Sequence, residues 1–141
     1  MKENELRIGN LIYHDDLIEY DKYEIHIVDA ESFYRIQKFP YSYMGIELTE
    51  EWLLKFGFEK TPHFTVNNAI IKKIGRRKHL SIEYVGTPNE MVWLCYMDDE
   101  NSEFIDDLVC VHNFDYDGKL HVHQLQNLYF ALTGEELKLN T

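Results

Sequence analysis

The sequence predicts an α+β protein: a curled, mainly antiparallel sheet, or a partly open small β-barrel, packed with two short helices. Three observations carry that expectation. Short apolar, β-rich runs between residues 63 and 97 are separated by turn dipeptides too short for a parallel crossover. Two other segments carry helix start and stop signals. A chain of 141 residues, 45% hydrophobic and 14% aromatic with ten Tyr and eight Phe, is long enough for one core without disulfide or metal staples. One domain over residues 1–141 is expected, loose at its extreme ends.

Taken in order, residues 6–13 combine an apolar, β-rich pattern with a Gly-Asn step and read as the opening strand of a small barrel or curled sheet, followed by a turn at His14-Asp15-Asp16. Residues 23–28 alternate, with Tyr23, Ile25 and Ile27 on one face and Glu24, His26 and Val28 on the other, as a half-buried strand does. His26 is then a sheet-surface histidine. Residues 32–37 read as a weak strand, followed by a Tyr-rich loop around Pro40. The first helix follows Thr49. Its hydroxyl can cap the free N–H groups, Glu50 and Glu51 sit at the positive end, Leu48 can staple onto Leu53, and Gly57 supplies a left-handed stop.

The meander comprises strands at 63–66, 69–74, 80–85 and 91–97, with turns at Asn67-Asn68, around Gly75, and at residues 86–89. A bulge at Gly75 would serve as well as a turn. A strand at 108–113 is expected to pair with 119–122 through a loop containing Asp117-Gly118. In the last helix Leu125, Leu128, Tyr129 and Leu132 recur at i, i+3, i+4 and i+7, and Gly134 ends it. Leu137 and Leu139 can fold back to pin that end.

Fourteen basic against twenty-five acidic residues give a net charge of −11, which opposes binding to nucleic acid or an anionic membrane. The charge is uneven. Residues 98–117 hold eight acids and no Lys or Arg, whereas Lys72, Lys73, Arg76, Arg77 and Lys78 form a basic cluster. The longest apolar runs, such as 91–96, are too short to span a bilayer, and residues 1–10 have no apolar stretch suited to a signal peptide. No membrane partner and a cytoplasmic location are expected, with Cys95 and Cys110 as free thiols in strand cores.

Four constellations are candidates for chemistry. His112, His121 and His123, with Asp115 or Asp117, offer the donors Zn²⁺ takes if the 108–122 hairpin forms; a helix starting at His121 would make His121 and His123 diverge. Asp115-Tyr-Asp117-Gly118 resembles half a calcium loop, but the Gly comes too early and Gln124 stands where such a loop needs Glu. The acidic run at 98–107 reads as a solvated loop, with a protein-binding face or mimicry of nucleic acid as its functional readings. The basic 72–78 hairpin can touch phosphates. No glycine-rich phosphate loop, nucleophile elbow, C-x-x-C pair or H-E-x-x-H helix is present, so no cofactor and no reaction is selected.

The segments ELRIGNLIY at 5–13, GIELTEEWLLKFGF at 45–58 and LHVHQLQNLYFALTGEEL at 120–137 resemble a family of small uncharacterised proteins encoded in phages and prophages of Bacteroidetes and related bacteria. Residues 59–119 match it loosely. The resemblance implies a setting, phage or mobile-element accessory functions, and assigns no residue a catalytic role. The expected function is therefore non-enzymatic and acts through protein–protein interaction with a host or phage protein, or with a second copy of the chain. Tyr34, Tyr41 and Tyr43 are the candidate interface aromatics. The alternatives are a nucleic-acid-associated protein using the basic hairpin, and an enzyme or metal-binding protein using the 112–123 histidines.

Overall fold

The computed structural model describes residues 1–15, 22–60, 69–87, 90–97, 104–112 and 119–140, with the backbone alone at 96–97 and 104–112. The fold is α+β with antiparallel sheets, and neither sheet closes into a barrel. The chain divides into two compact units, residues 1–47 with 121–136 and residues 48–120 with 137–141.

The first unit is built on a three-stranded sheet. β1 (Leu11–Asp15) lies between β2 (Tyr23–Ile27) and β3 (Tyr43–Gly45), and both pairings are antiparallel. Before β1, Val28 donates to Asn10 O and accepts from Gly9 N, so one residue opposes two, and Gly9 takes φ +93°. The Gly-Asn step is thus a bulge, which only a residue tolerant of positive φ makes cheaply. The strand itself begins later than expected, at Leu11.

Residues expected to extend as a weak strand, 32–37, instead lie in a helix, α1 (Ala30–Lys38). The reason is local. Asp29 accepts from the Ser32 N–H while the Ser32 hydroxyl accepts from the Asp29 N–H, a reciprocal capping box, and Arg35 bonds Glu31 one turn back. Phe33 and Ile36, three apart, then meet the core formed by Leu6, Ile12, Val28, Ile36 and Tyr43. Each fully buried Ile there contributes about 1.5–3 kcal/mol relative to exposure. The described residues thus hold three α-helices where two were expected.

The remaining helix of this unit is α3 (Val122–Thr133), ended by Gly134 at φ +72° as its sequence predicted. It buries Val122, Leu125 and Tyr129, and its polar side chains also bind the sheet region. Gln126 Oε1 accepts from the Leu11 N–H at 2.8 Å, and Asn127 Oδ1 accepts from the Asn10 side-chain amide at 3.0 Å.

The second unit holds α2 (Glu50–Lys55) and a five-stranded antiparallel meander. Thr49 Oγ1 accepts from the Trp52 N–H, and Trp52, Leu53 and Phe56 are buried as the cap and spacing predicted. The strands, in order across the sheet, are β4 (Glu59–Lys60), β5 (Ile70–Gly75), β6 (Lys78–Glu83), β7 (Met91–Met97) and β8 (Phe104–His112). The expected pairing of 108–113 with 119–122 does not form. β8 pairs with β7, and Val122 already belongs to α3. The expected strand at 63–66 and turn at 67–68 lie outside the described residues. The tail does not pin α3 as expected and forms no strand: it belongs to the second unit, where Leu137 is buried and the Asn140 N–H donates to Lys55 O at 2.7 Å, while Leu139 is exposed.

Candidate protein-interaction surface

Strand alternation gives the sheet of the first unit two faces. Ile12, His14, His26, Tyr43 and Gly45 share one, and Leu11, Tyr13, Tyr23, Ile25, Ile27 and Met44 the other. The first of these faces supplies Ile12 and Tyr43 to the core that α1 completes. On the second, Tyr23 is 45% exposed, Ile25 54%, Ile27 62% and Met44 41%. Four large apolar side chains thus meet water in one patch. The Tyr13 and Tyr23 rings, 5.9 Å apart, extend it. Isolated exposed apolar residues need no explanation, but contiguous ones mark an interaction surface.

The sequence disclosed the alternation of β2 and concealed its orientation. A strand of Tyr, Ile and Ile alternating with Glu and His ordinarily turns its apolar row inward. Here the polar row lies toward the core face because His26 serves α1: its Nε2 lies 2.7 Å from Ser32 Oγ, which donates to Asp29 Oδ1 at 2.7 Å. The hydrogen bonds from the Ser32 side chain and backbone hold the Asp29 carboxyl below its ordinary range. Partial burial lowers the His26 pKa against the opposing pull of Asp29. The serine stands between histidine and aspartate, whereas nucleophilic catalysis needs the histidine in the middle. This is a helix-capping relay.

The three expected interface tyrosines separate. Tyr34 is 64% exposed on α1 and Tyr41 is 95% exposed in a 3-10 turn, so both are available to a partner. Tyr43 is not. It lies on the core face of β3, with its ring 4.8 Å from His14 and 5.6 Å from His26.

The basic cluster also divides. Lys72 Nζ donates to Phe56 O at 3.0 Å, satisfying a carbonyl at the end of α2. Lys73, Arg76, Arg77 and Lys78 are exposed at the β5–β6 hairpin end. The turn residues are Arg76 and Arg77, and Arg77 takes φ +60°, while Gly75 pairs with Lys78 beside a register shift.

His121 is the N-cap of α3, with an extended backbone, and the helix begins at Val122, so the divergence from His123 expected only of a helix starting at His121 does not arise. Their rings stack with centroids 5.7 Å apart. The stack lies against Gly45, where a Cβ would come within 2.6 Å of His121 Cδ2 and 3.2 Å of His123 Cε1. His112 is in β8, in the other unit, with only its backbone described. Among the described residues no group of three His, Cys, Asp or Glu side chains is placed to hold a metal. Asp115, Asp117 and residues 98–103 lie outside the described set.

One buried acid escaped the sequence reading. Glu90 is fully buried, its two carboxylate oxygens accepting from the Gly86 N–H at 2.6 Å and the Leu120 N–H at 2.7 Å. It is a clip between backbone segments, and a lone Glu before a strand carries no signal of that in sequence. Cys95 is buried as expected, and burial with the nearby Glu83 pushes its thiol up to about 11, far from a reactive thiolate.

No protein-family model, curated protein or solved structure matches this chain.

Proposed function

We propose that this chain is a non-enzymatic accessory protein, in the phage or mobile-element setting its sequence resembles, and that it acts by holding a host or phage protein. The observation that supports this reading is the exposed apolar patch of Tyr23, Ile25, Ile27 and Met44. Interface centres favour such residues, and their burial against a partner removes apolar surface from water. The exposed Tyr34 and Tyr41 are further anchors of the kind that interfaces use.

A second reading rests on Lys73, Arg76, Arg77 and Lys78, all exposed at one hairpin end, which is the footprint of phosphate contact. The net charge of −11 opposes it.

The test is an affinity capture from bacterial lysate with nuclease-treated controls, using wild type, Met44→Glu, and a variant with Arg76, Arg77 and Lys78 changed to Glu. A stoichiometric, nuclease-resistant partner lost in Met44→Glu and kept in the triple variant is expected. A partner kept by Met44→Glu overturns the patch as its site. Recovery of nuclease-sensitive nucleic acid alone, lost in the triple variant, favours the second reading.

A further inference from the structure

β2 is an outer strand of its sheet, and among the described residues no strand pairs with its far side. The direction of its backbone groups follows from the ladder. Val28 aims both N–H and C=O at the β1 side, bonding Asn10 O at 2.9 Å and Gly9 N at 2.8 Å. Antiparallel alternation then turns the groups of His26 and Glu24 toward β1 and those of Tyr23, Ile25 and Ile27 outward. Leu11, opposite Ile27, agrees: its N–H turns away from β2 to Gln126 Oε1. An exposed edge with an apolar row is a template for another strand, and proteins blunt such edges with Lys, Pro or bulges. β2, Tyr-Glu-Ile-His-Ile, has none of these within it.

The residues of this strand are complementary to themselves in one register. We infer that β2 pairs antiparallel with β2 of a second copy of the chain, across a two-fold axis at Ile25. Ile25 then faces Ile25 of the second copy, and Tyr23 faces Ile27, an aromatic against a β-branched side chain. Each of these pairs exchanges two N–H···O bonds through the outward groups. On the other face Glu24 stands opposite His26 of the second copy, an acid against a base, while its own sheet already places His14 on its other side. A slip by one residue would set apolar against polar rows, and a slip by two would leave part of each strand unpaired. The pairing is isologous and closes on itself, as a two-fold interface must. It joins two three-stranded sheets into one and brings two copies of the apolar patch side by side. It goes beyond the partner reading, since it uses the strand edge and leaves Met44 untouched.

The test exploits the position on the axis. Ile25→Lys places like charges opposite each other, as does Ile25→Glu, whereas a mixture of the two places opposite charges there. Light scattering on gel-filtered protein should find wild type and Met44→Glu dimeric, each Ile25 variant monomeric with unchanged far-UV circular dichroism, and the equimolar mixture dimeric again. Wild type that stays monomeric at its highest attainable concentration overturns the inference, as do Ile25 variants that remain dimeric or a mixture that remains monomeric. Should the variants not fold, hydrogen exchange on wild type decides. The Tyr23, Ile25 and Ile27 amides gain protection with protein concentration if the edge is paired, and concentration-independent fast exchange at these amides overturns the inference.

Discussion

Gly45 shows how far a single missing carbon organises the first unit. The His121–His123 ring stack occupies the space a Cβ would need, and the nearest ring atoms are Cδ2 and Cγ of His121, close to its own backbone. A methyl group there cannot be relieved by a swing of a side-chain tip. Gly45→Ala is therefore expected to destabilise the protein by about 1–3 kcal/mol, the usual cost of overpacking, measured by urea unfolding. An unchanged midpoint would show that the stack yields freely. None of this was legible beforehand, because Gly45 and the histidines are joined by tertiary contact and by no sequence pattern. The settings of Tyr43 and Lys72 were hidden for a similar reason. Residue type suggested interface and phosphate contact, while strand parity and the carbonyl of Phe56 decide where the two side chains go.

Elements with their own start and stop signals were the readable ones. Thr49 with Glu50 and Glu51, and the apolar spacing of residues 125–132 before Gly134, are local, so α2 and the body of α3 lie where the sequence put them. At α1, aromatic and branched residues at 33–36 suggested a strand, while the decisive Asp29–Ser32 capping box preceded them. The expected strand at 119–122 failed because His121 caps α3 and Val122 opens it, while β8 takes β7 as its partner. A clean test at this scale is Gly134→Ala. Gly134 takes φ +72° and nothing lies within 4 Å of where an added methyl would sit, so only backbone conformation opposes the substitution. A loss of about 1–2 kcal/mol in urea unfolding is expected. A loss near zero would mean that the helix end adjusts to another stop.

At the scale of the whole molecule, charge and chain order matter more than any single contact. A net charge of −11 repels itself in the folded state, and the surface ion pairs Glu31–Arg35 and Glu51–Lys55 are each worth little. Raising the salt from about 10 to about 150 mM shortens the screening length from about 30 to about 8 Å, and the thermal midpoint should rise. A falling midpoint would show that local ion pairs outweigh the net repulsion. The α+β class and antiparallel pairing were legible because composition and turn spacing are summed over many residues. The division into two units was hidden, since no linker marks it and each unit is assembled from separate parts of the chain.

That assembly has a consequence for synthesis. Residues 1–47 leave the ribosome long before 121–136, which supply Gln126 for the Leu11 amide, Asn127 for Asn10 and the rings over Gly45. The meander of the second unit pairs strands that follow one another, and it can form while the first sheet still waits for its last helix. A nascent chain halted before residue 121 therefore carries the first sheet without the helix that serves it, and its earliest-made segment waits on residues made near the end of the chain.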